Sequence, residues 1–585
     1  MASLILRSWT IVGAIAAVAA LQAAETMPEV SNRLLSKFAL VEKIDEAVAG
    51  HILFLAHKTD ICSALQLYQK QRESKGQHDF SLLRNIALIV IERNWHSNSP
   101  EMQLMALFGA AIAMDDATRY VLDAGLCSSY PQLQFIALHL LAQYPDEEAE
   151  KALFSALHAE NLLLRCEAIV CLARKQHARA TSQIDSLYRR MPAQLHPMFP
   201  SLYAMSGDRA ALAALRRLLA HPCSAVRVEA IRSLAEMGRD DLLADIRQLL
   251  TQHDIAQQEA CCFALGILKD SLSLPKLRLL CNSQEPSIAL AALLACYRLG
   301  DSCAAKALAA RANRADLFAI NALQNIPESN ELLASLLTHE QQQVRINAAI
   351  ALLAQQDKRC IEALKPLFFC NASDQGISSW TTPGKTLKAW KIAPSTSANW
   401  KQNPLAQETS LALREQLLIQ TALLPQESFL LLANELLISQ QGDLIPTLAY
   451  LLQENSSPEA LSLLRHYQSF PGAPLLRAWS TLMLYRTGKD PATIATLGEW
   501  IKQHCSEEMI RFRTFIPSTM RESTRSTATP FQLTLEERSR LLIEILEAFA
   551  QARDEAGVDL LLYAIAHGHP HNRAALAGLL LRATQ

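Results

Sequence analysis

Residues Asp208 to Gly300 decide the fold. Three consecutive blocks of 31 residues align there without a gap: DRAALAALRRLLAHPCSAVRVEAIRSLAEMG from Asp208, RDDLLADIRQLLTQHDIAQQEACCFALGILK from Arg239 and DSLSLPKLRLLCNSQEPSIALAALLACYRLG from Asp270. The same frame runs back through His177, Asp146 and Asp115 to Arg84, giving seven blocks. Block position 8 holds Ile91, Leu122, Leu153, Ile184, Leu215, Ile246 and Leu277; position 12 holds Trp95, Leu126, Leu157, Tyr188, Leu219, Leu250 and Cys281. Position 23 holds Ala106, Ala137, Ala168, Phe199, Ala230, Cys261 and Ala292; position 27 holds Ala110, Leu141, Leu172, Tyr203, Leu234, Leu265 and Cys296.

Positions 8 and 12, and again 23 and 27, are four residues apart, so each pair lies on one face of a helix. Turn formers separate the two pairs, such as His221-Pro222 and Ser283-Gln284-Glu285-Pro286. Gly207-Asp208 and Gly300-Asp301 suit a helix C-terminus followed by an N-cap. Each block therefore reads as a helix–turn–helix. The small residue at position 23 lets two antiparallel helices approach closely. One such hairpin cannot bury its apolar face alone, so the blocks must stack.

The segments VRVEAIRSLAEMG (Val226 to Gly238) and VRINAAIALLA (Val344 to Ala354) resemble the second helix of the HEAT-repeat family, in its short phycobilisome-lyase-like variant. The resemblance covers Arg84 to about Pro366. It implies an all-α fold, a HEAT-like superhelical solenoid of helix pairs, right-handed. It carries no shared catalytic residue, because in this family the repeat is a frame.

At 585 residues the chain exceeds a usual single core, a limit a linear solenoid escapes. Only 6% of residues are aromatic, and 55 basic residues face 57 acidic ones. That balance lacks the basic excess of a nucleic-acid binder. The N-terminus reads as an export signal: Arg7, then apolar Trp9 to Leu21, then Gln22-Ala23-Ala24 before Glu25. The alternative is an uncleaved inner-membrane anchor over residues 4–24, and only then is membrane contact expected. Thirteen cysteines raise the question of disulfides, but Cys261, Cys262, Cys281 and Cys296 occupy core positions and behave as small hydrophobes. One bridge among Cys62, Cys127, Cys360, Cys370 and Cys505 stays open.

The expected organisation is a signal segment at 1–24, a helical cap at 25–83, HEAT-like repeats at 84–370, an irregular insertion at 371–407, further repeats at 408–505, an irregular basic loop at 506–533 and terminal helices at 534–585. After Gly300 the period shortens to 28 residues, over 301–328 and 329–356. The insertion holds Trp380, Trp390 and Trp400, and Lys385 to Ile392 alternates as a short strand. Its tryptophans either anchor a partner or pin the insertion to the solenoid; pinning is the preferred reading.

Motifs for chemistry are sparse. His567, His569 and His571 are the best metal candidates, yet no Cys, Asp or Glu joins them at ligand spacing. No metal or cofactor is expected, and no catalytic residue is assigned. Asp115-Asp116 and Asp240-Asp241 open blocks, where acids suit a helix N-terminus.

A variable face is expected on the second helices, at positions 25 and 29. It includes His139, Arg174, Arg232 and Arg298 as partner-binding candidates, together with the three tryptophans. The competing reading makes these residues contacts between neighbouring blocks. The leading function is a non-enzymatic, exported scaffold of a bacterial periplasm or cell envelope, binding protein and not nucleic acid. The alternatives are a lyase or lyase-associated subunit, implied by the resemblance, and a structural envelope protein.

Overall fold

The computed structural model describes residues 46–58, 60–175, 180–370, 376–393, 404–439, 443–488, 491–512 and 535–585. The expected signal segment, Trp400 and most of the basic loop lie outside them. No described helix is long and apolar enough to cross a membrane.

The predicted helix pairs are present. The second helices Ser224–Glu236, Ile255–Ile267 and Pro286–Arg298 start 31 residues apart, and so does the next, Leu317–Ala322. The shortening comes one step later than expected, at Gln342–Ala354. Every block has its position 8 and position 23 side chains buried, from Ile91 and Ala106 through Leu277 and Ala292. The block edges are built as their sequence requires. Gly207 and Gly300 take left-handed φ of 69° and 91°. Asp208 then accepts the Ala211 N–H at 2.6 Å, and Asp301 accepts that of Cys303 at 3.1 Å. Arginines of one block reach the opening aspartate of the next: Arg84 to Asp115 at 2.9 Å, Arg247 to Asp270 at 2.7 Å and Arg278 to Asp301 at 2.7 Å. These hydrogen bonds hold the Asp270 and Asp301 carboxyls below their usual range.

The chain forms two compact units, Met1–Leu172 with Thr481–Gln585, and Ala173–Ser480. In the first, the helix Arg573–Thr584 packs on Phe80–Trp95 and Pro100–Ala113. Two glycines make this crossing. A Cβ on Gly109 would sit 2.1 Å from the Ala574 carbonyl oxygen, and one on Gly578 would sit 2.1 Å from that of Gly109. The last helix thus covers the first block instead of closing a far end of the array, as the sequence order suggested.

In the second unit the all-α pattern is broken by a β-hairpin, β1 (Gly376–Thr381) and β2 (Lys388–Ala393), paired antiparallel with Ser379 opposite Trp390. The alternation from Lys385 to Ile392 anticipated β2; β1 was not anticipated. Buried Arg414 marks where the insertion leaves the helices. Its guanidinium donates to the carbonyls of Leu367 at 2.7 Å and of Cys370, and pairs with Asp443 at 2.6 Å. It thereby satisfies the end of the helix Ile361–Phe368.

Candidate interaction surface

The hairpin lies on the second helices of the Ala173–Ser480 unit. Its tip is a turn in which the Lys385 N–H donates to the Thr382 carbonyl at 2.8 Å, with Lys385 at a left-handed φ of 55°. Gly384 is required there, because a Cβ would meet the Ala256 carbonyl oxygen at 2.7 Å. Glu259, fully buried on Ile255–Ile267, receives the tip. It accepts the Thr386 hydroxyl at 2.5 Å, the Gly384 N–H at 3.0 Å, the Thr386 N–H at 3.3 Å and the Thr382 hydroxyl. Four donors offset the desolvation of one carboxylate. One helix earlier, Glu229 pairs with the Lys385 ammonium at 3.1 Å.

Further along, Asn347 on Gln342–Ala354 engages the outer edge of β2. Its Oδ1 accepts the Trp390 N–H at 2.8 Å and its Nδ2 donates to the Trp390 carbonyl at 2.9 Å. Asn321 donates to the same Oδ1 and so orients the amide. Trp380 stands edge-on to Phe318, ring centroids 5.7 Å apart. Trp390 is buried, with the Lys388 ammonium 4.4 Å above its ring. Two of the three tryptophans therefore face the helices, in line with the pinning reading.

The partner-binding candidates at positions 25 and 29 scatter. His139 is not on a surface: it is 3% exposed, with Nε2 3.0 Å from Glu167 Oε2 and Nδ1 3.7 Å from Cys171 Sγ. The following second helix, Leu162–Arg174, covers it. Val170, Ser201 and Leu294 at position 25 are buried as well, so that column is mainly contact between blocks. Burial alone would lower the His139 pKa, but Cys171 and Glu167 raise it to about 9. Arg232 is held by Glu229 and Glu236 on its own helix, at 3.1 and 3.7 Å. Arg298 lies over the Phe263 ring at 5.5 Å, its pKa lowered by burial and its Nη1 buried without a hydrogen-bond partner. Arg174 is half-buried, with Nη2 likewise unpartnered.

The histidine run folds as a turn. His567 stacks on Tyr563 at 4.5 Å, His569 accepts the His571 N–H at 3.3 Å, and their rings stand 6.3 Å apart. No group of three or more metal-ligating side chains occurs among the described residues.

Glu259 and Asn347 were missed. For Glu259 the signal was in the frame: position 21 holds Leu104, Phe135, Cys166, Pro197, Val228 and Leu290 in the other blocks. A single carboxylate in an apolar column demands a partner.

No protein-family model matches the sequence, and no curated protein matches it. Among solved structures, the chain is similar to the complex of CpcE and CpcF of phycocyanin lyase from Nostoc sp., at 19% identity over 42% of this chain and 92% of that chain, with a TM-score of 0.25. It is similar to a structure of Kap95p binding to RanGDP, at 11% identity over 97% of this chain and 86% of that chain, with a TM-score of 0.31. It is also similar to the karyopherin Kap121p bound to the extreme C-terminus of the protein phosphatase Cdc14p, at 12% identity over 92% and 81%, with a TM-score of 0.27.

Proposed function

We propose that this chain is a non-enzymatic protein-binding scaffold, and that the second helices of its Ala173–Ser480 unit receive an extended polypeptide strand. The observation that carries the reading is the pairing of Asn347 with the Trp390 backbone. A side-chain amide that reads N–H and C=O recognises a strand as such, with little regard to its side chains. Glu259 reads the strand's turn in the same way, through two backbone N–H groups and two hydroxyls. The chain's own hairpin fills this surface, so a partner strand would compete with it.

The test replaces residues 376–393 by a Gly-Ser segment of equal length and adds a fluorescent peptide of that sequence in trans. Binding to the replaced chain and not to the intact one supports the reading. No binding to either removes it.

Export to a bacterial periplasm or envelope belongs to the same proposal, on the strength of Arg7 followed by apolar Trp9 to Leu21. It predicts a mature N-terminus near Glu25. An intact mass that retains Met1 to Ala24 contradicts the cleaved form.

A further inference from the structure

We propose that Cys281 and Cys296 form a dithiol that a small disulfide of the glutathione class oxidises to an intramolecular disulfide, stapling the two helices of one block. Their sulfurs lie 3.7 Å apart. A disulfide needs about 2.05 Å, so the pair must close by roughly 1.7 Å. Cys281 is placed to make that move. It is the C-cap of the short helix Leu274–Leu280, beyond the helical hydrogen-bond ladder. Cys296 is fixed inside Pro286–Arg298 and is 1% exposed.

The repeat itself creates the juxtaposition. Cys281 and Cys296 occupy positions 12 and 27, which the other six blocks fill with apolar or aromatic pairs such as Leu126 with Leu141 and Leu219 with Leu234. This block alone among the seven carries cysteine at both. A pair of positions that touches for packing has here been given redox chemistry.

The two thiols divide the work. Cys281 is half-exposed and Cys296 buried. The Cys296 thiol hydrogen bond to Cys281, assisted by Arg311, favours the Cys281 thiolate and pushes the Cys296 thiol up. The Cys281 thiolate attacks one sulfur of the oxidised thiol RSSR; a protein S–S bond forms, the R–S–S–R bond breaks, and RS⁻ leaves and takes up the proton that Cys281 had released. Cys296 then attacks the Cys281 sulfur. The second RS⁻ leaves with the Cys296 proton, so two protein thiols are oxidised and one RSSR is reduced to two RSH. Cys262, buried and electrostatically close to Cys281, is the competing thiol. Cys127, Cys223 and Cys303 are exposed and serve as internal references.

The experiment incubates the full chain in graded mixtures of reduced and oxidised glutathione, traps free thiols by alkylation and maps the peptides by mass. The expected result is a joint one-to-one loss of alkylation at Cys281 and Cys296, with a crosslinked peptide lighter by two hydrogens. Cys296→Ser should convert Cys281 into a stable glutathione adduct, and Cys281→Ser should leave Cys296 alkylatable. The proposal is overturned if wild-type Cys281 keeps its glutathione, if it pairs with Cys262, or if both thiols stay free where Cys127, Cys223 and Cys303 have reacted. Because the wild-type chain gives the decisive reading, poor folding of a serine variant does not blur it.

Discussion

Asn347 and Trp390 are joined by two hydrogen bonds, side-chain amide to backbone amide, at 2.8 and 2.9 Å. β1 satisfies one edge of β2, and the Trp390 N–H and C=O point the other way. They would be orphaned beneath a buried indole without a side chain that offers donor and acceptor together. Asn347→Ala should leave both groups unsatisfied and cost about 2 kcal/mol, within the 1–3 kcal/mol typical of such losses. A lower urea midpoint together with faster hydrogen exchange at the Trp390 amide checks this. An unchanged exchange rate would mean that the edge is held elsewhere.

The tip of the hairpin gives a second test. Gly384→Ala forces a methyl into the Ala256 carbonyl and Glu259, and should lift the turn while leaving the helix pairs folded. Glu259→Gln replaces an acceptor of four donors by an amide that must present its own N–H groups, and should cost about 2–3 kcal/mol. Both variants should become sensitive to proteolysis between Thr381 and Lys388, with the circular dichroism helix signal retained. Loss of helix in Gly384→Ala would show that the hairpin is part of the core.

The His139–Glu167 pair makes stability depend on pH. The folded pKa of about 9 stands above the unfolded 6.5, so the folded protein binds the extra proton. The contribution is fully present below about pH 6.5 and is lost as pH rises through about 9. At about 1.4 kcal/mol per pKa unit it reaches on the order of 3 kcal/mol. Urea midpoints of the wild type should fall between pH 6.5 and 9.5 more steeply than those of His139→Gln. Equal slopes would contradict a charged His139.

Glycines separate contact from propensity. Gly109→Ala and Gly578→Ala place methyl groups on facing backbones and should each cost about 3 kcal/mol or more, beyond ordinary overpacking. Gly50 lies in the helix Glu46–His57 with nothing within 4 Å of a new Cβ, so Gly50→Ala should stabilise by about 0.5–1 kcal/mol. Thermal unfolding of the three variants checks the order, and a neutral Gly109→Ala would contradict the helix crossing.

The repeat was legible because it is local. Ala230 and Leu215 recur at fixed offsets, and a small residue facing larger ones states a helix crossing directly. Outward direction was not legible at His139. Whether position 25 meets water depends on how far the next second helix slides over it, and Leu162–Arg174 covers it fully. β2 showed its alternation. β1 hid, because Ser378 and Ser379 carry no strand preference. Glu259 announced a need for partners, but its partners lie 123 to 127 residues away along the chain, and only the fold brings them together.

The central claim is that the second-helix surface reads a polypeptide backbone. Its most direct test is the affinity of the 376–393 peptide, added in trans to the chain whose hairpin has been replaced, with and without an N-methyl group on the Trp390 amide. The methyl removes one hydrogen and leaves every side chain in place. The account predicts binding at least about tenfold weaker, the equivalent of about 1.4 kcal/mol. It also predicts little change when the outward side chains of Ser379, Thr381 and Lys391 are cut to alanine. Equal affinity of the methylated and unmethylated peptides would contradict it.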